Sequence, residues 1–116
     1  MLLQEPNLHV WLYTQPTDMR KQFDGLAAIA KNKMRESVSD GQLFVFINRK
    51  RTYIKALYYS SGGLCLWSKR LERGRFQQLA RDDRHNDKAA LTWAQLQCLI
   101  EGIDWQKAPK KLRFCR

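Results

Sequence analysis

Acidic residues are scarce in this chain: 11 Asp and Glu stand against 21 Lys and Arg, a formal charge of +10 over 116 residues. The few carboxylates do not gather. Asp82 and Asp83 adjoin in a charged stretch, Asp18 and Asp24 fall on different sides of a helix, and nothing selects a third member from Glu72 or Asp104. Two-metal phosphoryl transfer, which needs converging carboxylates, finds no support here. Histidine is scarcer still: His9 and His85 stand alone, and His85 has no evident nucleophile beside it. Cys65, Cys98 and Cys115 are odd in number and have neither disulfide-framework nor zinc-ligand spacing, so a reduced, metal-free protein is expected. No apolar run reaches the roughly 18 residues of a membrane-spanning helix. The N-terminus also lacks the basic-then-apolar pattern of an exported precursor, which makes the expected location cytoplasmic, without membrane contact. The SSGG stretch from Ser60 to Gly63 has no Lys and opens no helix, so it is a turn and not a phosphate cradle. No catalytic residue, metal or cofactor is assigned.

What is present suffices for one domain. Hydrophobic residues make up 44% of the chain, with four Trp and five Phe to build a core. Val10 to Tyr13 reads as a short strand, ended near Pro16. Met19, Phe23, Leu26, Ala27, Ala30 and Met34 then recur at three and four residues, the period of a helix face, with Thr17 or Asp18 as its cap. Gly25 interrupts that helix and implies a close contact. Leu43 to Ile47 and Tyr53 to Tyr59 read as strands joined by a basic hairpin tip, Asn48 to Thr52, and Leu64 to Leu71 follows as a third antiparallel strand. Gln77 to Ala90 resembles an exposed loop. Thr92 and Gln95 form a capping box that starts a short helix from Trp93 to Glu101, ended by Gly102. The expected fold class is α+β: an antiparallel three- to four-stranded sheet packed by one long helix, with the short C-terminal helix closing an edge. Residues 1–105 form this compact domain and 106–116 a basic C-terminal tail.

The charge balance favours a polyanionic partner, nucleic acid first. Arg49, Lys50 and Arg51 at the hairpin tip, with Lys55 behind them, are the first candidate contacts, since a row of cations meets successive phosphates and releases their counterions. A solvated, solubilising turn would look the same. Lys69, Arg70, Arg73 and Arg75 form a second cluster, in which Gly74 permits a bend and Phe76 or Trp67 is a stacking candidate whose commoner role is core packing. Lys110, Lys111 and Arg113, with Lys107 and Arg116, give the tail the character of a basic arm. Docking of a protein partner through Tyr53, Tyr59 and Trp67 on one sheet face is the alternative.

Four blocks carry a family resemblance over nearly the whole chain: DMRKQFDGL at 18–26, GQLFVFINRKRTYIKALYY at 41–59, GLCLWSKRLERGRF at 63–76 and LTWAQLQCLIEGIDW at 91–105. In that order they resemble the second-open-reading-frame product, called Orf2 or TnpB, of the bacterial insertion sequence family numbered sixty-six. An unrelated RNA-guided nuclease family shares the second name and does not resemble this chain. The resemblance implies a small, non-catalytic accessory protein in DNA transposition, working beside a longer transposase that carries the catalytic carboxylates. DNA, that transposase, a sister accessory protein and a second copy of the chain are the partners it implies. Tyr59 and Ser60 depart from the pattern, standing where the family usually has a Trp-Asp pair.

Overall fold

The structure is a computed structural model that describes residues 8–78 and 87–102. Five strands form one sheet: β1 (His9–Tyr13), β2 (Gln42–Ile47), β3 (Tyr53–Ser60), β4 (Gly63–Arg70) and β5 (Lys88–Leu91), in the order β4-β3-β2-β1-β5. The α+β class, the long helix and the short C-terminal helix are as expected from the sequence. The sheet is larger and mixed. β1 joins its middle, parallel to β2 and antiparallel to β5, which arises inside the stretch expected as loop. Helix α1 (Phe23–Asn32) makes the crossover that parallel neighbours require, whereas β2, β3 and β4 are joined by tight hairpins.

Both faces of the sheet are covered, which explains why β2 is apolar at nearly every position. On one face Leu26, Ala30 and Met34 pack on Phe44, Phe46 and Leu57. On the other, helix α2 (Trp93–Glu101) sets Leu96, Leu99 and Ile100 against Val10, Leu12, Val45 and Ile54. The short helix thus covers a face of the sheet. Its start is the expected capping box: Thr92 Oγ1 accepts from Gln95 N at 3.1 Å, and Gln95 Oε1 accepts from Thr92 N at 2.9 Å. Gly102, at φ +77, ends it in the left-handed conformation. Cys98 is buried on this helix and disulfide-bonded, which corrects the expectation of reduced thiols. Pairing depends on Cβ proximity in the fold, which spacing along the chain does not reveal. Cys65 is the free cysteine among the described residues.

The DMRKQFDGL block is not helical throughout. α1 begins at Phe23, with Gln22 as an N-cap that makes no side-chain bond, and neither Thr17 nor Asp18 caps it. The reason is Lys55, which is 2% exposed and sends its ammonium to the carbonyl oxygens of Met19 at 2.8 Å and Lys21 at 2.9 Å. Two carbonyls claimed by a buried cation do not serve as acceptors for a preceding helical turn. Gly25 supplies the close contact expected of it: a Cβ there would stand 3.2 Å from Lys21 Cβ and Cγ, so its absence leaves room for the Lys21 stem. The early start of the buried stripe also shifts, and Phe23 is 44% exposed.

Asp18 holds the same turn from outside. Its carboxylate accepts from Arg20 N at 2.9 Å and from the Arg20 guanidinium at 2.7 Å. Hydrogen bonds from Arg20, first from its side chain and then from its backbone, lower the Asp18 pKa from 3.8 to about 2. A carboxyl depressed in the folded state contributes stability above its unfolded pKa and loses it as pH falls through the folded value. Carbon-detected NMR titration of the Asp18 carboxyl should therefore find its midpoint near the bottom of the window between 3.8 and about 2, and Arg20→Ala should return it toward the upper end.

Candidate nucleic-acid interface

The β2–β3 connection is built around Asn48. Its Oδ1 accepts from Thr52 N at 2.9 Å and Tyr53 N at 3.1 Å, while its own backbone N–H donates to Tyr53 O at 3.1 Å. Arg51 sits at φ +58, a conformation uncommon outside glycine, and its N–H donates to Asn48 O at 3.0 Å. A short polar side chain that satisfies the following amides lets the loop be closed without glycine. Arg49 and Lys50 are left exposed at the tip and Arg51 is half-buried.

The chain after β4 returns to this tip. Leu71 N donates to Thr52 O at 2.8 Å and Phe76 N donates to Arg51 O at 2.7 Å, so the LERGRF segment is fastened at both ends to the loop. Phe76, 1% exposed, anchors it in the α2-side core, and Gly74 at φ +76 makes the bend. Between those anchors Arg73 and Arg75 are exposed, and Arg70, opposite Tyr53 in the register, is exposed at the end of β4. Two basic segments separated in sequence thus meet at one end of the sheet. Among the described residues the ion pairs are Asp18–Arg20 and Glu36–Lys88, and neither draws on these cations.

The other expected contacts fare differently. Lys55 leaves the set, because its ammonium is inside the protein on the Met19 and Lys21 carbonyls. Alternation places it on the face of Leu57, and α1 covers that face. Lys69 is half-buried and donates to Ile100 O at 2.8 Å, at the negative end of α2. Phe76 is unavailable for stacking on a base, and Trp67 packs against the α2-side core. Trp67 faces Ala56 in the register, on the sheet side opposite Tyr53 and Tyr59, so the three aromatics share no platform. Lys110, Lys111 and Arg113 lie outside the described residues. No group of three His, Cys, Asp or Glu suited to a metal ion occurs among the described residues, and no described helix is long and apolar enough to cross a membrane.

Sequence reasoning passed over a cavity beside the hairpin tip. Its volume is about 140 Å³, and it opens where β1 and β2 end, between Leu12–Pro16, Ile47–Arg49 with Arg51, and Gln77–Gln78. Burial, and then the Asp87 carboxylate, push the Tyr13 phenol up.

Comparison with known proteins places this geometry in a lineage. Residues 8–110 match the family described as IS66 Orf2 like protein. Two relatives come from Sinorhizobium fredii (strain NBRC 101917 / NGR234). The uncharacterized protein y4hO is 38% identical over 106 residues, covering 91% of this chain and 90% of the relative. The uncharacterized protein y4jC is 26% identical over 104 residues, covering 90% and 86%. No solved structure matches. With the resemblance of its four blocks matched by this agreement over most of its length, the chain belongs to the IS66 Orf2-like family and is a non-catalytic accessory protein of an insertion sequence.

Proposed function

We propose that the protein contacts DNA during transposition, through the basic end of its sheet, as a cytoplasmic partner of the element's large transposase. Arg49, Lys50 and Arg51 at the tip and Arg70, Arg73 and Arg75 beside it form the contact, Lys69 contributes from its edge, and Lys110, Lys111 and Arg113 of the tail extend it. The observation that carries this reading is the pair of backbone bonds, Leu71 to Thr52 and Phe76 to Arg51, which fastens the two basic segments together. Cations spread along one edge, with no ion pair to a carboxylate among the described residues, suit a row of phosphates, and their contribution is independent of base sequence.

Hydrogen exchange of the full chain with and without duplex DNA tests the assignment. Amides of 48–52 and 70–76 should slow on binding, while those of α1 stay unchanged. Protection confined to α1 would instead favour docking of the transposase, a sister accessory protein or a second copy through that helix, whose Phe23 is the exposed large hydrophobic side chain among the described residues. A single such side chain is ordinary on a monomer surface, so the DNA reading is preferred.

A further inference from the structure

β4 forms one margin of the sheet, and no described strand lies on its outer side. The opposite margin, β5, is four residues long, and a short edge strand is a common guard against pairing with another chain. β4 has eight residues, runs in unbroken register with β3, contains no proline and carries its cations only at its last two positions, Lys69 and Arg70. Its middle is apolar toward both faces. Leu64 and Leu66 adjoin the α1-side core and Trp67 the α2-side core, yet all three are only half-buried. A strand that is apolar on both faces is ordinarily an inner strand with a neighbour on each side.

Hydrogen-bond alternation fixes which backbone groups are free to take that neighbour. Leu71 N donates to Thr52 O, so this pair bonds and, alternating along the register, Lys69, Trp67, Cys65 and Gly63 turn their N–H and C=O toward β3. The bond from Asn48 N to Tyr53 O, counted across β3 in the same way, gives the same assignment. Leu64, Leu66, Ser68 and Arg70 therefore direct theirs outward, where no described strand meets them. We infer that β4 pairs with β4 of a second copy of the chain, antiparallel about a twofold axis at Trp67, joining two sheets into one. This register pairs all the outward residues of the strand: Leu64 with Arg70 and Leu66 with Ser68, each twice over by symmetry. It sets Trp67 against Trp67 at the close, non-hydrogen-bonded position, where facing aromatics stabilise a sheet. It also sets Lys69 against Cys65 and Arg70 against Leu64, so no cation of β4 stands opposite another. Parallel pairing in register would align Lys69 with Lys69 and Arg70 with Arg70. A strand that fits itself in the antiparallel sense, with every outward group used, is the reason to name a second copy as the occupant; a strand of another protein would require no such match within β4.

Sedimentation of the full chain over a concentration series, without DNA, tests this. Twice the chain mass is expected at the upper end of the series, falling to one chain on dilution. Ser68→Pro removes an outward N–H and none of the bonds to β3, a placement that proline tolerates in an edge strand, so it should give a single-chain species with an unchanged circular dichroism spectrum. Leu64→Arg and Leu64→Glu forfeit the same leucine packing but set opposite charges against Arg70 of the second copy. The twofold axis doubles that contact, and Leu64→Glu should dimerise roughly tenfold more tightly than Leu64→Arg, with the gap closing at high salt. This comparison decides the matter if Ser68→Pro does not fold. A single-chain mass at every concentration would overturn the pairing and leave the edge to a strand of another protein. A dimer that survives Ser68→Pro and ignores the charge at position 64 would overturn it as well, placing the contact on another surface.

Discussion

Lys55→Met is expected to lower the thermal midpoint by roughly 10–20 °C. Methionine keeps the aliphatic stem, so packing against Leu57 and α1 is little changed. What is lost is an ammonium that bonds the Met19 and Lys21 carbonyls at 2.8 and 2.9 Å. Charge-assisted bonds of this kind contribute about 1.5–3 kcal/mol each, reduced here by the cost of having buried the ammonium at all. A net loss of about 3 kcal/mol follows. The turn from Asp18 to Lys21 should lose its hydrogen-exchange protection first, since its outer tie to Arg20 is solvent-exposed. Once folded at low temperature, Lys55→Met should bind DNA as the unaltered protein does. An unchanged melting curve would show that the buried ammonium is dispensable, and weakened DNA binding by a folded variant would return Lys55 to the interface.

Arg49→Ala combined with Lys50→Ala should leave the fold intact and weaken duplex binding by about tenfold or more at moderate salt. Both side chains are exposed and bear none of the bonds that shape the hairpin, which run through Asn48, Arg51 and Thr52. Each phosphate contact removed should flatten the dependence of log affinity on log salt by about 0.9, so the pair should reduce the slope by about 2. Arg73→Ala with Arg75→Ala should do the same from the neighbouring segment. Arg51 is less suited to such a test, because its carbonyl holds Phe76 and its backbone is at positive φ. Isothermal titration or anisotropy across a salt series, with circular dichroism to verify folding, checks both pairs. If both variants bind like the unaltered protein, the basic end of the sheet is not the contact.

Much of this arrangement was legible where a local rule governs it. The capping box of Thr92 and Gln95 sets the start of α2 without outside help, a continuous apolar run located β2, and alternation located β3 and β4, each to within a residue or so of its ends. β5 was not legible: four residues, KAAL, carry no period, and their strand state comes from pairing with β1 across 75 or more positions of chain. Parallel pairing of β1 with β2 is likewise a non-local fact. The burial of Lys55 was half-visible, since alternation aligns it with Leu57, but a lysine between apolar neighbours signals an interior cation only when carbonyls are known to await it. The two basic clusters were legible as clusters. Their meeting at one end of the sheet depends on backbone bonds from Leu71 and Phe76 that no pattern of charge announces. The cavity depends on the same return of the chain.

Direct contact with DNA is the central claim, and anisotropy of the purified full chain on labelled element-end DNA and on an unrelated duplex of equal length, taken across a salt series, tests it most directly. The account predicts binding to both duplexes that weakens steeply as salt rises from about 50 mM, with the ratio between them measuring specificity. Absence of binding to either duplex at about 50 mM salt would contradict it and make the protein a docking partner of the transposase.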